Sequence, residues 1–146
     1  MAFRYLYNSS GGDPVIESFP LAAVTTVNNT LLYYNGAGFI SNVYVNADTI
    51  STVVVAGVAA GAVVNAAGGA GDLQQPMICT KDARYSGDAG VVEQTDIGTN
   101  VSMDSVTLID EDDPLTTSSG VIRLLKVIGT AGTATTALCS INFGTP

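Results

Sequence analysis

Residues 18–71 carry a single charged side chain, Asp48, and residues 127–146 carry none. Fourteen of the eighteen charged residues lie between Asp72 and Lys126. A soluble domain ordinarily keeps a mixed charged surface that holds it dispersed. Much of this surface must therefore be Ser, Thr, Asn, Gly and Ala, or be covered by other subunits. Interface centres share that character, because they are depleted in charge.

The chain has 146 residues, enough for one domain. Hydrophobic residues make up 47%, which can build a core and excludes disorder. Charged residues make up 12%, about half the ordinary share. Five basic residues against thirteen acidic ones give a net charge of −8. Phosphate backbones are held by clustered Lys and Arg, so this balance speaks against nucleic acid. With no His at all, the commonest general base and metal ligand is missing. No G-x-S-x-G elbow, P-loop or dinucleotide fingerprint appears, so an enzyme is not expected.

The segments read as β. Alternating or β-branched stretches recur at 3–7, 15–24, 30–34, 42–45, 50–60, 75–80, 101–109, 121–128 and 134–143. Asn35-Gly36 marks a hairpin, and residues 129–132 link the last two strands as another. Loops are expected at 66–71, at Ser86-Gly87-Asp88 and at Asp112-Asp113-Pro114. Two weak helical signals remain, a single turn over 80–84 capped by Thr80 and a short helix over 59–67. The predicted fold is all-β, a single compact sandwich or barrel-like domain with long loops and little or no helix. Its organisation is an N-terminal strand or arm over 1–28, then a β-domain over 29–146. The uncharged run 49–71 contains Gly57-x-x-x-Gly61, but its second half is too glycine-rich to leave the roughly 20 apolar residues of a membrane span. It reads as a buried strand followed by a loop, with no membrane partner. The N-terminus has no apolar signal region, so the three N-x-S/T triplets read as accidental.

Few residues suggest chemistry. Asp110, Glu111, Asp112 and Asp113 are the one dense acidic run; their spacing is not that of a calcium loop, and they read as a solvated acidic loop. Lys81, Asp82, Arg84, Asp88, Glu93 and Asp96 form a mixed-sign patch suited to local or inter-subunit ion pairs. Cys79 and Cys139 lie in apolar runs and read as buried free thiols, with a single bridge as the alternative. No metal site or cofactor is implied. Phe3, Tyr5 and Tyr7 alternate on one side of the first strand, opposite Arg4 and Leu6. Tyr and Arg are frequent interface anchors, so Phe3, Arg4, Tyr5 and Tyr7 are the candidate interface residues. A half-buried edge strand explains them equally well.

The order of features is then informative. A turn with Leu31-Leu-Tyr-Tyr-Asn-Gly-Ala-Gly-Phe-Ile40 precedes Val53-Val-Val-Ala-Gly-Val-Ala-Ala60 and Gln75-Pro-Met-Ile-Cys-Thr80. Asp96-Ile-Gly-Thr-Asn-Val-Ser-Met-Asp104, Gly120-Val-Ile-Arg-Leu-Leu-Lys-Val-Ile128 and Ala137-Leu-Cys-Ser-Ile-Asn-Phe143 follow. Over most of 29–143 this resembles the small head-decoration, or cement, proteins of tailed double-stranded DNA bacteriophages. The resemblance rests on order and spacing. It implies a structural role on the outer surface of the expanded capsid, with the major capsid protein as partner, self-association as dimer or trimer, and synthesis in the host cytoplasm. It carries over no catalytic residue. The first thirty residues depart from the pattern and would serve as a capsid-docking arm. The acidic balance would complement basic patches on the shell. The alternative is a receptor- or glycan-binding β-module of a fibre or spike; a self-assembling filament subunit would polymerise through its edge strands.

Overall fold

The structure, a computed structural model, describes residues 3–42, 55–115 and 121–141. Eleven strands appear there: β1 (Phe3–Asn8), β2 (Ile16–Pro20), β3 (Leu31–Tyr34), β4 (Ile40–Ser41), β5 (Val55–Ala59), β6 (Gln74–Ile78), β7 (Ala83–Asp88), β8 (Asn100–Ser105), β9 (Leu108–Leu115), β10 (Ile122–Val127) and β11 (Thr136–Ile141). The order β1-β7-β11-β10-β8-β9 makes a six-stranded sheet, and β2-β6-β5-β3-β4 a five-stranded one. The strands within each pair antiparallel, and the two sheets pack together as a β-sandwich, the expected all-β class. Among the described residues the helical content is one 3₁₀ turn, Gln94–Asp96.

The five-stranded sheet has no wet face at its centre. On one side Leu31, Tyr33, Val55, Val58 and Ile78 meet Phe3, Tyr85, Ile109, Ile122, Leu124 and Cys139 of the other sheet. On the opposite side Leu32, Ile40, Ala56, Ala59 and Met77 are buried with Leu21, under Val24 and Val63. Residues 21–26 and 61–73 form that cover and are laced together. Leu21 N donates to Leu73 O (3.0 Å), Gly71 N to Leu21 O (2.8 Å) and Asn65 N to Val24 O (3.1 Å). Buried Asn65 donates from Nδ2 to Ala22 O (3.1 Å) and Gly69 O (3.2 Å). Gln75, fully buried, accepts from Thr26 Oγ1 and donates to Gly61 O (3.0 Å) and Pro76 O (2.8 Å). Strands buried on both faces need unbroken apolar runs, which accounts for the uncharged stretch.

Gly57 lies on β5 close against the backbone of β6. A Cβ there would lie 2.5 Å from the carbonyl oxygen of Ile78. The Asn35-Gly36 hairpin joins β3 and β4 as expected, although its positive φ falls at Gly38 (84°). Asn35 Oδ1 accepts the amides of Ala37 (3.0 Å) and Phe39 (2.9 Å), so the loop is closed by a side chain. The glycine pair at 129 and 132 links β10 to β11, with φ of 116° and 86°.

Several expectations are corrected. Residues 80–84 form no helical turn: Ala83 N donates to Thr80 O in the tight connection between β6 and β7, and Thr80 Oγ1 accepts from Val15 N (2.7 Å). Ser86-Gly87-Asp88 is no turn but the end of β7. Ala83, Tyr85 and Gly87 face inward in that strand, and Gly87 is small because a Cβ would lie 2.7 Å from Ile109 Cδ1 and 2.9 Å from Cys139 Sγ. Residues 59–67 are no helix, since Thr25 and Val64 form an antiparallel bridge. The stretch 101–109 is not one strand but parts of two, β8 and β9, which turn at Val106-Thr107. Ser105 Oγ accepts from Thr107 N (3.2 Å) there, so a hydroxyl makes the turn that no Gly or Asn announces. Asp112-Asp113-Pro114 belongs to β9, where an edge position tolerates proline. Within the expected N-terminal strand or arm, β1 is the outermost strand of one sheet and β2 of the other. Residues 43–54, which take in most of the expected strand 42–45 and the start of that over 50–60, lie outside the described residues. Among those described, no helix is long and apolar enough to cross a membrane.

Candidate functional site

The four candidate interface residues do not share a face. Phe3 is fully buried in the inter-sheet core, its ring edge-on to Tyr85 at a centroid distance of 6.3 Å. Tyr5 is half-buried, stands edge-on to Tyr85 at 6.1 Å and donates from its hydroxyl to Asn8 Oδ1 (3.0 Å). Arg4 is exposed, and Tyr7 is 49% exposed. The expected alternation of Phe3, Tyr5 and Tyr7 fails at a β-bulge. Tyr5 pairs with Tyr85 and Tyr7 with Arg84, which leaves Leu6 as the extra residue. One extra residue reverses every side chain beyond it, so Tyr7 joins Arg4 on the solvent side. Buried Asn8 ends the strand and donates from Nδ2 to Asp13 O (2.9 Å), folding the next turn back.

Strand pairing extends that solvent side into a face of the six-stranded sheet. Arg4 lies opposite Ser86, Ser86 opposite Leu138, and Leu138 opposite Lys126. Two positions on, the next row holds Tyr7 with Arg84, then Ser140 with Arg123. None of these eight residues is buried, while their chain neighbours Phe3, Tyr85, Cys139, Ile122 and Leu124 point into the core. Of the chain's five basic residues, Arg4, Arg84, Arg123 and Lys126 share this face; Lys81 sits apart, at the turn between β6 and β7. Asp88, at the end of β7 opposite Thr136, and Asp110, between inward Ile109 and buried Glu111 on β9, lie on the same face, and the Arg84 guanidinium donates to the carbonyls of Asp82 (3.2 Å) and Ala83 (3.5 Å). The expected strand over 121–128 held Arg123 and Lys126, Arg84 lay in no expected strand, and adjacency needed the strand order.

Apolar side chains are exposed near the same margin: Leu6 (41%), Val15 (54%) and Ile16 (55%). The connection between β1 and β2 is tied over the turn between β6 and β7. Ser9 N donates to Asp82 O (2.9 Å), and the Ser10 amide and hydroxyl both donate to Asp82 Oδ2. Those two bonds hold the Asp82 carboxyl below its usual range. The mixed-sign patch is thus engaged in part with the backbone; Asp96 Oδ2 likewise accepts from Glu93 N (2.7 Å).

The acidic run is not wholly a solvated loop. Glu111 is buried and accepts from Gly90 N (2.9 Å). Beside it Ala89 and Ile109 form a parallel bridge, which brings β9 back against the end of β7 and curls the sheet toward closure. The carboxylate supplies an acceptor where the backbone ladder has none. Among the described residues no group of three His, Cys, Asp or Glu is placed to hold a metal. Both cysteines are free, Cys139 buried and Cys79 half-buried. Burial pushes the Cys139 thiol up to about 12, and burial with the nearby Glu17 charge raises that of Cys79.

An open cleft of about 560 Å³ lies between Val27, Asn28, Thr30, Asp88, Ser105 and Thr107. Its hydroxyls are engaged locally: Thr30 Oγ1 donates to Val27 O (2.7 Å), and Ser105 and Thr107 share a bond of 3.1 Å. No family model matches the chain, no curated protein matches its sequence, and no solved structure matches its fold.

Proposed function

We propose that this chain is a structural virion protein, a capsid decoration or cement protein. It binds the outer surface of an expanded phage head and strengthens contacts between major capsid protein subunits. The observation that carries the reading is the feature order over 29–143, together with a charge-poor β-sandwich that leaves few charged side chains outside one stretch. A rigid two-sheet scaffold suits a clip, since it adds contact area without deforming. Weak, mostly neutral contacts repeated over a lattice accumulate through multivalency. Its role needs no catalytic group or cofactor, its partners are the major capsid protein and further copies of itself as dimer or trimer, and its place is the capsid exterior after synthesis in the host cytoplasm.

The test is co-sedimentation with mature, expanded heads and with unexpanded proheads, counting copies against the major capsid protein. Saturation at a simple lattice ratio on expanded heads, with little binding to proheads, supports the proposal. No binding to either overturns it. The hydroxyl-lined cleft would then favour the receptor- or glycan-binding reading, and glycan arrays become the next assay.

A further inference from the structure

We infer that the outer face of the six-stranded sheet is the docking face, and that the surface it takes is an acidic patch on a partner protein. Arg4, Arg84, Arg123 and Lys126 stand in two adjacent rows across β1, β7, β11 and β10. Three strand spacings separate Arg4 from Lys126, about 14 Å. The rest of a chain of net charge −8 carries Lys81 as its one remaining cation.

That polarity decides orientation. Elsewhere on the molecule an acidic partner meets uncharged or acidic surface with Lys81 as the one cation, whereas this face attracts it, which selects one pose. A basic partner would be met by any of the acidic sides and would fix no pose. The identities suit a protein contact: Tyr7 lies beside Arg84, Leu138 separates Ser86 from Lys126, and Arg and Tyr are the residues that most often anchor interfaces. Four cations spread over a sheet face that also carries Asp88 and Asp110 make a poor track for a phosphate backbone. On the decoration reading, on which the identity of this partner rests, the shell offers acid to the sheet, the reverse of the complementarity that the net charge suggests.

The experiment uses the full chain and two exposed residues of one strand, Arg123 and Lys126. Wild type, Arg123→Glu/Lys126→Glu, the milder Arg123→Gln/Lys126→Gln, and Lys81→Glu as the off-face control are each checked for unchanged circular dichroism. Each is then sedimented with expanded heads at about 50 and 300 mM salt, over which screening shortens from about 14 to 6 Å. Expected are weaker wild-type binding at high salt, a loss of about tenfold or more in the double reversal, an intermediate loss in the glutamine pair, and a change within about twofold for Lys81→Glu. Undiminished binding by the double reversal overturns the docking face and leaves the decoration reading standing. If wild type does not bind heads, the decoration reading fails, and the face is judged on immobilised polyglutamate. Retention there that the double reversal abolishes sustains it, and no retention overturns it. Tighter binding of wild type to duplex DNA than to polyglutamate also overturns it, since the partner would be nucleic acid.

Discussion

Replacing Tyr85 by Phe removes a hydroxyl that sits in the inter-sheet core with no hydrogen-bond partner among the described residues. The side chain is fully buried, and its ring is held edge-on by Phe3 and Tyr5, contacts that a phenylalanine ring would keep. A buried polar group left unpaired costs about 1–3 kcal/mol, and the ring volume barely changes. Tyr85→Phe is therefore expected to stabilise the fold by about 1–2 kcal/mol, which for a domain of this size raises Tm by roughly 2–8 °C. The sign is unusual, since most core substitutions destabilise. The assay is urea unfolding followed by far-UV circular dichroism, because the chain has no Trp and the substitution alters tyrosine fluorescence. An unchanged m-value would place the effect in stability. The pH dependence gives a second reading. Burial raises the Tyr85 phenol above its ordinary 10.0, so the folded state holds its proton where the unfolded chain releases it. This contribution is complete below pH 10 and is lost as pH climbs beyond, a loss that Tyr85→Phe removes. A loss of about 1 kcal/mol or more in the variant at neutral pH would refute the reasoning, because it would mean that the hydroxyl is bonded.

Cys139 adds to the same alkaline weakness: its thiol rises from 9.0 to about 12, so its stabilisation is complete below pH 9 and declines by up to about 4 kcal/mol as pH approaches 12. Cys139→Ala should flatten that decline in denaturant titrations from about pH 8 to 11, and a thiol reagent should label Cys79 well before Cys139 in the folded protein. Gly57→Ala drives a methyl group against the Ile78 carbonyl and should cost about 1–3 kcal/mol in urea melts; a neutral result would mean that β5 and β6 can separate freely. Glu111→Ala strips the Gly90 amide of its acceptor and should cost about 1.5–3 kcal/mol, with Glu111→Gln recovering part of it and faster hydrogen exchange at Gly90 marking the opened seam.

Much of the strand content was legible in local pattern. The stretches 3–7, 30–34, 75–80, 121–128 and 134–143 each contain or overlap a strand, because β-branched and alternating residues report a half-buried pleated surface directly. The buried strand expected within 49–71 is β5, which is buried on both faces. β7 was illegible for the opposite reason. Its inward residues Ala83 and Gly87 are small, and at Gly87 the space is taken by Ile109, Cys139 and Phe3, so its identity is written in its neighbours. The turn at Val106-Thr107 escaped because a hydroxyl replaces the usual Gly or Asn.

The candidate interface divides in the same way. Alternation alone put Phe3, Tyr5 and Tyr7 together, and the bulge at Leu6 separated them, since register is set by the partner strand β7 and not by β1. Class, core composition and the scarcity of charge followed from the sequence by itself, because burial preference acts residue by residue. Strand order, the bulge, the Glu111–Gly90 seam and the gathering of Arg4, Arg84, Arg123 and Lys126 on one face came only with the tertiary structure. Each depends on which distant segments lie side by side, and local chain chemistry does not encode that adjacency.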